Sequence, residues 1–117
     1  MKNWLRGNDA ESRALQHLRA QGLKLVTRNW RCRGGELDLV MRDGDVLVIV
    51  EVRSRASAGY GSAAESIDRR KRGHVVHATR LYLSAHPEHA ERNVRFDVVA
   101  LDADRLQWLQ AAFDAEN

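Results

Sequence analysis

Apolar and polar positions along the chain change period several times, and each change marks an element. Ala10, Ala14, Leu15 and Leu18 recur at threes and fours, the spacing of one helical face. Asn8 or Asp9 stands where an N-cap is expected, Glu11 sits in the first turn, and Gly22 follows as a stop. Leu23 to Arg31 predicts a strand. Leu37 to Met41 and Val46 to Val52 are strongly strand-like and are joined around Asp43-Gly44, a hairpin turn signal. Ser54 to Ser66 is small and flexible, with Tyr60 between Gly59 and Gly61, and Ser62 and Glu65 have capping-box spacing for a following helix. Ile67, Val75, Ala78, Leu81, Tyr82 and Ala85 form that helix's apolar positions, closed by Pro87. Val94, Phe96, Val98 and Ala100 alternate with Arg95, Asp97 and Val99 as another strand. Asp102 to Asp104 is a turn, and Arg105 to Gln110 is either a last strand or a helical turn. The order predicts an α/β fold with a central mixed β-sheet flanked by helices. The stretch at 54–66 plus its helix is long enough to cross to a parallel neighbour.

The hairpin concentrates chemistry. A turn symmetric about Asp43-Gly44 sets Glu36 opposite Glu51, Asp38 opposite Ile49 and Val40 opposite Leu47, all on one side, with Arg53 beyond Glu51. The other side, Leu37, Leu39, Met41, Val46, Val48, Val50 and Val52, is wholly apolar. Strands apolar near the turn on both faces are covered on both faces. Glu36, Asp38 and Glu51 therefore converge at the margin of a covered sheet, where clustered carboxylates repel unless a cation is present. One arginine is too little for three acids. A hard divalent cation, Mg²⁺ or Mn²⁺, is the expected remedy, because it takes carboxylate oxygens and keeps several waters. The alternative is a structural cluster in which Glu36 and Asp38 pair with arginines from elsewhere.

Composition narrows the class. The chain has 117 residues, 44% hydrophobic and 30% charged, which suits one domain over 1–117 with a real core. One cysteine, Cys32, precludes an internal disulfide and a CxxC site. The polar start lacks a signal-peptide core and no apolar run reaches bilayer length, so the expectation is a cytoplasmic protein without a membrane partner. The net charge of +3 is arranged in blocks: +6 over 1–35, −4 over 36–52, +5 over 53–80 and −4 from Glu88 onward. Sixteen of the 19 basic residues are arginine, whose planar fork suits phosphate. That distribution fits either a polyanion partner or solvated faces.

Among other residues, His74 with His77 and His86 with His89 lack the acid or cysteine that would complete a tetrahedral metal set. Trp30 and Trp108 are expected in the core or an interface, Cys32 as a half-buried inert thiol, and Arg95 with Asp97 as an ion pair that supports the fold.

Taken in order, Gly7-x-x-x-Glu11, Arg28-Asn29-Trp30-Arg31-Cys32-Arg33-Gly34-Gly35-Glu36-Leu37-Asp38-Leu39-Val40, Val50-Glu51-Val52-Arg53-Ser54-Arg55, Lys71 and Arg95-Phe96-Asp97-Val98-Val99 resemble the YraN family. Those small bacterial proteins are similar to archaeal Holliday-junction resolvases and to the PD-(D/E)xK nuclease superfamily. The resemblance runs from about Gly7 to about Phe113. It implies a restriction-endonuclease-like fold in which Asp38 and Glu51 hold the metal, Glu11 adds to it from the helix, and Arg53 takes the superfamily's lysine position. Glu36 belongs to the family's Gly-Glu-x-Asp block and is counted with the catalytic candidates.

Arg53 departs from the superfamily pattern. It can stabilise charge or grip a phosphate but cannot act as a base near neutral pH, so the nucleophile would be water whose pKa the cation lowers. Lys71 either projects back over the site or is solvated with its neighbours. The implied partner is nucleic acid, most directly DNA, with Arg31, Arg33, Arg55, Arg69, Arg70, Lys71 and Arg72 as candidate contacts, some of them solvated only, and Tyr60 either stacking on a splayed base or packing against its own chain. Resolvase-like relatives are dimers, so a homodimer is a further expectation. The expected function is a metal-dependent DNA nuclease acting on branched or processed DNA; the alternative is a non-catalytic nucleic-acid-binding or protein-interaction module on the same fold.

Overall fold

Five strands form one sheet in the order β1-β2-β3-β4-β5, with every neighbouring pair antiparallel except β3 and β4. The structure is a computed structural model and describes residues 2–54, 67–102 and 105–115, with side chains from residue 9 onward. The elements are α1 (Lys2–Ala20), β1 (Lys24–Cys32), β2 (Gly35–Asp43), β3 (Val46–Ser54), α2 (Arg69–Ala85), a 3₁₀ turn (Pro87–His89), β4 (Val94–Asp102) and β5 (Arg105–Phe113). The mixed α/β sheet is as expected, and α2 lies on the crossover between the parallel strands β3 and β4. Residues 105–113 form a strand, not a helical turn. No helix of the described residues is long and apolar enough to cross a membrane.

The sheet is covered on both faces, which explains the near-continuous apolar runs of β2 and β3. Ala10, Ala14, Leu15 and Leu18 of α1 pack on Leu39, Met41, Val48, Val50 and Val99. Val75, Ala78 and Tyr82 of α2 pack on the other face, against Leu37, Val40, Leu47, Ile49 and Phe96.

Several local expectations are corrected. Asn8 and Asp9 lie inside α1, which starts earlier than the capping signal implied. At its other end Gly22 does stop the helix: at φ +97 it lets Leu23 N–H reach back to Leu18 O at 3.1 Å. Helix α2 is capped by Asp68, whose carboxylate accepts Lys71 N–H at 2.8 Å; Ser62, Glu65 and the connection 55–66 lie outside the described residues. The β2–β3 pairing is also offset from the expected one. Asp43 pairs with Val46 and Leu39 with Val50, so Gly44 and Asp45 form the loop. A two-residue offset preserves which residues share a face. Continued by one step, it sets Asp38 beside Glu51 in place of Ile49.

Candidate functional site

Strand alternation in β2 fails at the place where chemistry gathers. Leu39 packs beneath α1, yet Leu37 packs beneath α2, so Leu37 does not share a face with the other odd-numbered residues of β2 as expected. Across on β1, Asn29 has φ +56, a left-handed conformation that asparagine tolerates better than most residues. Asp38 sits at this roll of the strand.

The two strands then exchange side chains for backbone. Val52 N–H donates to Asp38 Oδ2 at 2.8 Å, and Asp38 N–H donates to Glu51 Oε2 at 3.4 Å. Each carboxylate thus stands where a ladder carbonyl would otherwise accept. Glu51 is 1% exposed, and its Oε1 is buried without a hydrogen-bond partner. Lys71 of α2 places Nζ 3.6 Å from that oxygen, close enough to pair charges but too far for a hydrogen bond. Burial raises Asp38 from its ordinary 3.8 to about 6, opposed by the Val52 N–H and reinforced by the negative charge of Glu11. Burial and the charge of Asp38 together push Glu51 from 4.5 up to about 8, opposed by Lys71.

The other expected members are placed differently. Glu11 approaches from α1 and bonds to Arg28 Nη2 at 3.4 Å. Glu36 faces its β1 register partner Arg31, pairing with it at 3.3 Å with its side chain 44% exposed, while its charge still adds to the raised pKa of Asp38. The expected convergence of residues 36, 38 and 51 is therefore corrected to a pair, Asp38 with Glu51. Among the described residues no three His, Cys, Asp or Glu side chains group together as a metal site. Arg53 is exposed and makes no ion pair with a described residue. Arg33, Arg69 and Arg70 are exposed, whereas Arg72 turns inward, donating to Ile67 O at 2.9 Å with its guanidinium over the Phe113 ring. Arg55 and Tyr60 lie outside the described residues.

Sequence reasoning missed the seat of the β1–β2 hairpin on α2. A Cβ on Gly35 would stand 2.7 Å from His74 O, and His77 Nε2 donates to Arg33 O at 3.2 Å. The consecutive glycines 34 and 35 were the available signal for such a close approach. Arg95 and Asp97 do pair, as expected.

The fold and site define a class: an α/β protein in which a buried glutamate and a part-buried aspartate are held between adjacent central strands, with a lysine from the crossover helix. Residues 10–101 match the model of the uncharacterised protein family UPF0102. The chain is 57% identical over 112 residues to a UPF0102 protein of Cupriavidus taiwanensis, covering 95% of this chain and 84% of that one. It is 53% identical over 113 residues to one from Pseudomonas entomophila, with 92% of each covered. The chain belongs to the UPF0102 family, which is the YraN family.

Proposed function

We propose that this protein is a nucleic-acid-binding protein of the restriction-endonuclease-like type and a Mg²⁺- or Mn²⁺-dependent DNA nuclease. The order α-β-β-β-α-β-β, with α2 between the parallel strands β3 and β4, supports the fold assignment. The observation that carries the function is Glu51 Oε1: a buried carboxylate oxygen with no hydrogen-bond donor, beside a second carboxylate whose pKa is also raised. Such a group is costly to leave as it is, and it fits a hard cation that takes one or two carboxylates and keeps its remaining waters for a phosphate oxygen. Asp38 and Glu51 would hold the ion. When bound, the ion supplies charge neutralisation and water activation for in-line attack on a phosphodiester. Lys71 holds a positive charge at the same place, suited to offset charge on the scissile phosphate. Arg53, being exposed, is free to grip a flanking phosphate.

Purified protein incubated with junction, flap and single-stranded DNA in Mg²⁺ and Mn²⁺ tests the reading. Metal-dependent product that disappears in Asp38→Ala supports it; no product, or cleavage that survives the substitution, removes it. The Lys71–Glu51 ion pair favours a second reading, a binding module without turnover, because the ammonium already offsets the carboxylate charge. That reading expects salt-sensitive binding unaffected by chelator and by Asp38→Ala.

A further inference from the structure

Helix α2 and the edge strand β1 run side by side in opposite directions. At one end Gly35 and Arg33 meet His74 and His77; further along, Trp30 meets Tyr82 edge-to-face at 5.2 Å. At the far end Val26 and Thr27 face His86 and His89 across a cleft of about 520 Å³. The two ends of this seam differ in chemistry. Near Lys71, α2 presents Arg69, Arg70, His74 and His77 to solvent beside exposed Arg33, and Arg69–Ala85 contains no acidic residue. At the other end rings gather: His86 stacks on Tyr82 at 4.3 Å, and the Tyr82 hydroxyl has no hydrogen-bond partner among the described residues. His89 accepts from Arg92 Nε through Nδ1, which in its neutral form leaves an N–H on Nε2. Glu88, the carboxylate of that cleft, is bonded to His86 at 3.2 Å.

A cationic track leading to stacking rings is how proteins hold unpaired nucleic acid: charge follows the backbone, and aromatic faces take bases of any sequence. A continuous duplex keeps its bases stacked inside and has no use for the ring end. Resting on the nucleic-acid reading above, we propose that the β1–α2 seam binds a single-stranded segment and stacks one base against His86 and Trp30. The substrate class is then a nucleic acid with an unpaired tail leading away from the Asp38–Glu51 pair. From Lys71 to His86 is about 22 Å along the helix, so only a tail several nucleotides long reaches the rings.

Fluorescence anisotropy in EDTA, with blunt duplex and duplexes bearing 5′ or 3′ thymidine tails, tests this. A tail of about eight nucleotides should tighten binding about tenfold over blunt duplex, and a tail of about two should add little. His86→Ala should remove that advantage and leave blunt-duplex affinity unchanged in a protein that still melts cooperatively. Trp30→Leu should do the same where it remains folded, and His86→Ala decides the matter where it does not. Equal affinity for all tail lengths, an advantage that survives His86→Ala, or displacement by polyglutamate as readily as by oligothymidine overturns the track. Loss of metal-dependent cleavage with the tail preference intact removes the catalytic reading and leaves the track standing. Failure to bind any of these probes overturns both.

Discussion

Lys71 Nζ stands 3.6 Å from Glu51 Oε1, bringing a charge from the crossover helix to a carboxylate that is 1% exposed. Lys71→Met keeps most of the side-chain volume and removes the charge. The loss should depend on pH, because a protonated Glu51 has no need of the ammonium. Urea melts should show a destabilisation of about 1–3 kcal/mol near pH 8.5 and little change near pH 5. Equal losses at both values would mean that Lys71 acts through packing alone.

The carboxylate pair also contributes its own pH dependence to the stability of the fold. Glu51 is raised to about 8 and Asp38 to about 6, chiefly by burial. The folded state therefore binds more protons than the unfolded chain between about pH 4 and 8, and stability falls as pH rises through that window. Below the unfolded values the contribution is fully present; above about 8 it is gone. Thermal melts should decline from pH 5 to 8.5 in the wild type, and Glu51→Gln should flatten the decline. A profile that rises with pH and is unmoved by Glu51→Gln would contradict the assignment.

On the far side of the sheet, Asp97 holds the last strand. It is fully buried, accepts Arg95 Nε and Nη2 at 2.9 and 3.0 Å, Trp108 Nε1 at 2.9 Å and Ala111 N–H at 3.0 Å. Ala111 itself is held at φ +51, a conformation that costs an alanine about 1–2 kcal/mol. Asp97→Ala leaves the Arg95 guanidinium with only its Asp43 contact at 3.1 Å, strands an indole N–H and a strained backbone N–H, and should cost about 3–5 kcal/mol in denaturant melts. Hydrogen exchange should rise first in β5.

The sheet itself was legible because the two periods, alternation in strands and threes and fours in helices, follow from what must be buried. The acids were legible for the same reason: Asp38 and Glu51 interrupt runs that are otherwise covered on both faces. Glu36 was not, because its partner Arg31 is set by the β1–β2 register, which alternation within one strand does not give. The turn was misplaced by one residue, yet a two-residue register offset kept both acids on one face. Lys71 was legible only as a possibility, since its reach depends on where α2 lands on the sheet. Asn29 and the paired glycines 34 and 35 carried a weak signal of special backbone, with nothing in sequence to say what lay opposite.

Gly35 gives the last prediction, because it joins the β1–β2 hairpin to α2. A Cβ there meets His74 O at 2.7 Å, which is backbone and cannot swing aside, with the Ala78 methyl at 3.2 Å. Gly35→Ala should lift the hairpin from α2, lengthen the His77–Arg33 contact and cost about 1–3 kcal/mol. Gly22→Ala serves as the comparison: at φ +97 it is strained too, but with nothing within 4 Å it should leave α2 and the hairpin undisturbed. Amide exchange across residues 31–36 separates the two. Faster exchange there in Gly35→Ala alone identifies the close approach as the seat of the hairpin; equal behaviour in both variants would place the effect in backbone strain.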